Sequence, residues 1–301
     1  MRGLCLALLL PAAAAGGQAP PTFRSEIGLV VIQATVRNER GEAVTGLERG
    51  DFTVYENGAR QTITSFRDGE APISLGLLLD HSRSMRDGRP AVEAAARAAL
   101  TATRPPDETF LMNFADKFDV DVPLTTDLEA LRTGLTRTEA IGGTALRDAV
   151  KAGTDYLTVH AGRGRKVLVV VTDGNDNASV ASPEDVREDA LEKGVEIYAV
   201  GILNTDPEKA KRGREALDRL TASTGGFARY AAGMDEADGA ALALARQVRQ
   251  AYTIAYAPSI QALDGTYRKL RVVAKGPGKV SVRTRRGYRA APSAASGAGR
   301  S

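Results

Sequence analysis

The run Ile73-Ser74-Leu75-Gly76-Leu77-Leu78-Leu79-Asp80-His81-Ser82-Arg83-Ser84 decides how this chain is read. Its first seven residues are almost continuously apolar, as expected of a strand buried on both faces. It then turns at once into D-x-S-x-S, a short polar stretch at the carboxyl end of that strand. Reading outward, residues 90–103 are helical, 108–114 form an apolar strand and 128–135 a short helix. Residues 145–159 carry Leu146, Ala149, Val150, Gly153 and Leu157 on one helical face. Residues 166–172 contain Val-Leu-Val-Val-Val, the strongest buried strand. Ser182-Pro183-Glu184-Asp185 opens a helix, with Ser as N-cap, Pro at the first position and acids in the first turn. A strand over 195–202, a helix over 207–223, a strand over 227–230 and a helix over 236–250 complete the alternation. Strands alternating with helices predict an α/β fold with a doubly wound, mainly parallel sheet.

On both sides of this unit the pattern is β. Residues 27–37 alternate apolar and polar, 52–56 form a second strand, Asn57-Gly58 signals a hairpin and 61–66 return as a third strand. After Tyr252, strands are expected over 252–257, 268–274 and 280–285. Neither flank has enough strands to bury much, so the two are expected to pair into a small β-sandwich with the α/β unit inserted between them. The division is 1–19 leader, 20–71 N-terminal β segment, 72–250 α/β domain, 251–290 C-terminal β segment and 291–301 disordered tail rich in Ala, Ser and Gly.

The chain has 301 residues, two His, one Cys and no Trp. A disulfide framework or a Cys-His zinc site cannot be built, so any metal is expected to be held by oxygen. Met1-Arg2, the apolar stretch through Leu8-Leu9-Leu10 and the small residues Ala12 to Ala19 follow the pattern of a secretory signal peptide cleaved between Ala13 and Ala19. That places the protein in the periplasm or outside the cell, and no other stretch is apolar enough for a transmembrane helix. The net charge of +3 is an average. Residues 265–301 hold ten of the 40 bases and none of the 37 acids, leaving a net of −7 on residues 1–264. The basic strands are read as presenting their cations to solvent, with pairing to the acidic body as the alternative and no nucleic-acid partner.

Three loops carry the chemistry: Asp80-His81-Ser82-Arg83-Ser84 after the first buried strand, Gly142-Gly143-Thr144 before a helix, and Thr172-Asp173-Gly174 after the strongest strand. In a doubly wound sheet these can converge where ligands bind. They bring two carboxylates and three hydroxyls, an oxygen set suited to a small hard cation. Alternate residues of D-x-S-x-S can face one ion. With these motifs, residues 72–250 resemble a von Willebrand factor A domain with a metal-ion-dependent adhesion site (MIDAS). The resemblance implies a Rossmann-like fold and a Mg2+ ion, with Ca2+ or Mn2+ as alternatives. It implies coordination through the hydroxyls of Ser82, Ser84 and Thr144, and through Asp80 and Asp173 directly or by way of water. The partner it implies is a protein that presents an Asp or Glu carboxylate to the ion. Over the whole chain, Val44-Thr45-Gly46-Leu47, Asp51-Phe52-Thr53-Val54, Tyr267-Arg268-Lys269-Leu270 and Arg286-Gly287-Tyr288 resemble secreted bacterial proteins with this domain. Two positions depart from the family pattern. Arg83 stands where Gly is usual and His81 where a small residue is usual.

The implied function is a non-enzymatic, extracytoplasmic adhesion-type module. An envelope-associated scaffold and a metal-assisted hydrolase are the alternatives, the latter with His81 or an acid as its base. The stretch Asp173-Gly174-Asn175-Asp176-Asn177 with Glu184 has EF-hand-like spacing but lacks the glycine at position six, and is read as a polar rim. Arg49-Gly50-Asp51 is read as a chance tripeptide at the entry to a strand, and His160 as a helix-end residue facing water.

Overall fold

The computed structural model describes residues 28–69, 71–135 and 142–290. The expected leader and tail lie outside them. The elements, in order, are β1 (Val30–Asn38), β2 (Phe52–Glu56), β3 (Ala59–Gln61), β4 (Ile63–Arg67), β5 (Ile73–Asp80), α1 (Arg89–Thr101), β6 (Glu108–Phe114), β7 (Phe118–Thr125), α2 (Leu128–Gly134) and α3 (Leu146–His160). There follow β8 (Arg165–Thr172), α4 (Pro183–Lys193), β9 (Val195–Ile202), α5 (Pro207–Ala222), β10 (Ala228–Ala231), α6 (Met234–Arg249), β11 (Tyr252–Tyr256), β12 (Tyr267–Ala274), β13 (Val280–Arg283) and β14 (Gly287–Arg289).

The central sheet has the order β10-β9-β8-β5-β6-β7. Its pairings are parallel except β6–β7. Every residue of β5 is buried because helices cover both faces. Leu75, Leu77 and Leu79 with Val167, Val169 and Val171 face α1, α2 and α6. Leu78, Leu168 and Val170 face α3, α4 and α5. This is the period-two division of a pleated strand. The helices start where the sequence provides caps. Ser182 and Asp185 form a capping box before α4, and Asp206 caps α5 ahead of Pro207. The edge strand β7 is an addition to the expected fold. Its alternation of Phe118, Val120, Val122 and Leu124 is the sequence signal for it, and Pro123 is tolerable because the strand lies at an edge.

The flanking segments pair with each other in two four-stranded sheets, β13-β1-β11-β4 and β14-β12-β2-β3. Between them lies a core containing Ile32, Ala34, Val36, Phe52, Val54, Tyr252, Ile254, Tyr256, Leu270 and Val272. Asn57 and Gly58, both at positive φ, make the two-residue turn from β2 to β3. The third strand expected over 61–66 is in fact divided. β3 continues the hairpin, and after Thr62 the chain crosses to the other sheet, where β4 pairs with β11.

The basic strands also need correction. Lys269 and Arg271 face outward, but Arg268 is buried at 2 % exposure. Its Nη1 donates to Glu56 Oε1 at 3.2 Å and to the Ile260 carbonyl at 2.9 Å, and its Nη2 to the Ala262 carbonyl at 2.8 Å. Tyr256 and Tyr288 donate to Glu56 Oε2 at 2.6 and 2.8 Å. One carboxylate therefore gathers a cation and two phenols in the sandwich. β1 serves both units: its even-numbered residues fill the sandwich core, while Thr35 and Arg37 are buried against the α/β unit.

Candidate functional site

The carboxyl ends of β5 and β8 are adjacent because those strands pair in register, Leu79 opposite Val171. Asp80 and Asp173 thus emerge side by side, and both are buried. Asp80 Oδ1 accepts the Ser82 N–H at 2.9 Å, and Oδ2 accepts the Thr172 hydroxyl at 2.6 Å. Burial pushes the Asp80 carboxyl up to about 6, with the charge of Asp173 adding to it against these hydrogen bonds. A 3-10 turn over Arg83–Met85 follows, with Ser82 at its N-cap. It brings the hydroxyl oxygens of Ser82 and Ser84 to 3.0 Å from each other.

Thr144 is held from the backbone. Its N–H donates to Asn177 Oδ1 at 2.8 Å, and its carbonyl accepts from the N–H groups of Asn177 and Ala178, both at 3.0 Å. The Arg83 N–H donates to the Gly142 carbonyl at 3.3 Å, tying this loop to the D-x-S-x-S turn. Asp173 Oδ1 accepts the Asn175 N–H at 2.9 Å, whereas its Oδ2 is buried with no hydrogen-bond partner. The Asp173-Gly174 loop is fixed by α5. Gly174 has φ +80°, and a Cβ on Gly213 would lie 2.0 Å from the Asp173 carbonyl oxygen, so helix and loop pack backbone against backbone. One depression is lined by Arg83, Ser84, Gly142 and Thr144, another by Ser84, Asp87, Asp173 and Met234. Ser84 lies between them, so the structure brings Asp80, Ser82, Ser84, Thr144 and Asp173 to one end of the sheet.

Two partners escape a reading of the sequence. Thr172 satisfies Asp80 from a strand distant in sequence, and Asn177 anchors Thr144. The acids after Asp173 do not form a separate loop site. Asp176 accepts from the N–H of Arg147 and from the N–H and hydroxyl of Ser179, so it ties this loop to α3. His81 is buried, and burial lowers its affinity for a proton. Among the described residues no three His, Cys, Asp or Glu side chains gather as a metal cluster. What converges instead is two carboxylates and three hydroxyls, and the unpartnered Asp173 oxygen fits a donor set for a hard cation.

Residues 75–175 match the family model of the von Willebrand factor type A domain. The chain carries a von Willebrand factor A domain. Matrilin-3 of Gallus gallus is 27% identical over 223 residues, covering 69% of this chain and 43% of that protein. This chain therefore spans less than half the length of that relative. The solved von Willebrand factor type A structure from Catenulispora acidiphila superposes with a TM-score of 0.50 at 14% identity, over 77% of this chain and 71% of that one. At that identity the likeness is one of fold. An aerotolerance-related membrane protein from Bacteroides fragilis gives a TM-score of 0.48 at 17% identity, over 58% of this chain and 98% of that one. Among the described residues, no helix is long and apolar enough to cross a membrane.

Proposed function

We propose that the protein is a non-enzymatic, extracytoplasmic binding module. In this reading Asp80, Ser82, Ser84, Thr144 and Asp173 form a metal-ion-dependent adhesion site for Mg2+, and a partner protein supplies an Asp or Glu carboxylate. The observation that carries it is the pair of buried aspartates with which no cation among the described residues pairs. Among the described residues Asp80 is met only by neutral donors, and Asp173 keeps one oxygen unpartnered. Bound there, Mg2+ would supply a positive centre whose hydroxyl ligands leave it undercompensated and receptive to an outside carboxylate. Thr172 and the Ser82 N–H orient Asp80, while Asn177 holds the Thr144 backbone in place. Arg83 is exposed and makes no ion pair among the described residues, which suits it to meet a second acid on the partner. Matrilin-3, the curated relative, supports a module of this general kind.

The hydrolase alternative would use His81 or an acid as its base, and burial lowers the affinity of His81 for a proton. The scaffold alternative assigns the contacts to the β unit and the basic segment over 265–301, and because β12 to β14 lie in that segment and are part of the sandwich, removing it tests folding as well as binding.

Calorimetric titration with Mg2+ tests the site. Wild type is expected to bind with chelator-reversible heat, and Thr144→Ala and Ser82→Ala/Ser84→Ala to lose at least tenfold in affinity. Equal, negligible heat from all three proteins overturns the metal site. A pull-down from native envelope tests the partner: capture should disappear with EDTA, and capture indifferent to both EDTA and Thr144→Ala overturns the mechanism.

A further inference from the structure

Away from that site, three arginines from three strands surround one phenyl ring where the sandwich meets the α/β unit. The guanidinium carbons of Arg37 (β1), Arg283 (β13) and Arg229 (β10) lie 4.2, 5.5 and 6.0 Å from the centroid of Phe227. A ring quadrupole attracts a cation but carries no net charge, so it cannot neutralise three. Among the described residues no carboxylate pairs with any of them. Glu196, on the strand β9 next to β10, is committed to Arg165 through bonds of 2.9 and 2.8 Å. Arg37 is nine-tenths buried, and its one side-chain hydrogen bond among the described residues goes to the neutral Gln247 Oε1 at 2.9 Å. The Nε atoms of Arg37 and Arg229 are buried without partners. Burial, followed by the charges of Arg283 and Arg229, brings the Arg37 guanidinium down to about 10.

Packing like charges together with unsatisfied donors raises the free energy of the folded state unless something compensates. The planar, multi-donor fork of arginine suits oxyanions with several acceptor atoms. We infer that this junction is an oxyanion site, at which Arg37, Arg229 and Arg283 hold one phosphate or sulfate group between the sandwich and the α/β unit. Because β1 and β13 belong to one unit and β10 to the other, the bound group fastens the two together. The site is independent of the metal site proposed above.

Thermal unfolding of the full chain tests it, with sodium phosphate or sodium sulfate titrated at ionic strength held constant by sodium chloride. Wild type should show a saturable rise in midpoint of roughly 3–6 °C at ten times the dissociation constant. Arg229→Gln/Arg283→Gln should show no rise, and in chloride alone should melt at or above wild type. Arg283 is exposed and Arg229 half-buried, and neither donates a side-chain hydrogen bond within the described chain, so the variant keeps the fold. No saturable rise in wild type, or the same rise in the variant, overturns the site. A sulfated disaccharide acting well below the concentration of inorganic sulfate would assign the group to an esterified carrier, and equal potency to the free ion. Either result supports the site only if it requires the arginines.

Discussion

Two of the places where this molecule buries carboxylates treat them in opposite ways. In the sandwich, Glu56 meets Arg268 and the phenols of Tyr256 and Tyr288, and these partners satisfy both of its oxygens. At the end of the central sheet, Asp80 receives only neutral donors from the described residues, and Asp173 leaves one oxygen bare. Burying a charge is costly in either setting unless it is paired. The first arrangement settles that cost within the chain and serves folding. The second leaves it open, which is the condition of a site that expects something from outside.

The contrast can be broken from either side. The largest effect is expected in the sandwich. Arg268→Met leaves Glu56 buried without its cation and should cost about 3 kcal/mol in urea unfolding. A cost below about 1 kcal/mol would mean that the two phenols suffice. At the sheet end the sign should be tied to pH. Asp80 ordinarily titrates near 3.8 but is pushed up to about 6 in the fold, so the native state binds the proton more tightly than the unfolded chain. The contribution is fully present below about pH 3.8 and is lost as pH rises through about 6, on the order of 2–3 kcal/mol without added metal. Denaturant midpoints from pH 4 to 7 with EDTA should carry this falling component. Asp80→Asn should remove it, and an unchanged pH profile in that variant would locate the component elsewhere. The smallest effect sharpens the comparison most. Asp173→Asn removes a buried carboxylate whose Oδ2 has no partner, so without metal it should melt at or up to about 1 kcal/mol above wild type. Marked destabilisation would show that Asp173 is structural in the same sense as Glu56.

How much of this was legible depended on how local the signal was. The uniform apolar runs of β5 and β8 announce burial on both faces, and D-x-S-x-S announces its own site. Both lie within a few residues of sequence. The bond from Thr172 to Asp80 depends on the register of β5 against β8, which no single sequence prints. The split between β3 and β4 is hidden because residues 61–66 read as one run, while the crossing at Thr62 is dictated by two separate sheets. Arg268 was misread through its charge, although its parity with Leu270 and Val272 places it on the inward face. Its inward position makes sense only once Glu56 is known to lie beside it. The arginines around Phe227 come from strands far apart in the chain, and nothing local distinguishes them from surface cations.

The two-faced strand β1 has a consequence for biosynthesis. Its pairing partners are β11 and β13, so Val30 must wait for Tyr256, and Val36 for Val282, before any ladder can form. As the chain emerges, the α/β unit can assemble its own sheet from residues made in succession. β1, apolar on one face and unpaired along both edges, stays exposed throughout that time. Closure of the sandwich therefore has to wait for the end of synthesis, and a chain stalled before β11 would present an open strand to any neighbour able to pair with it.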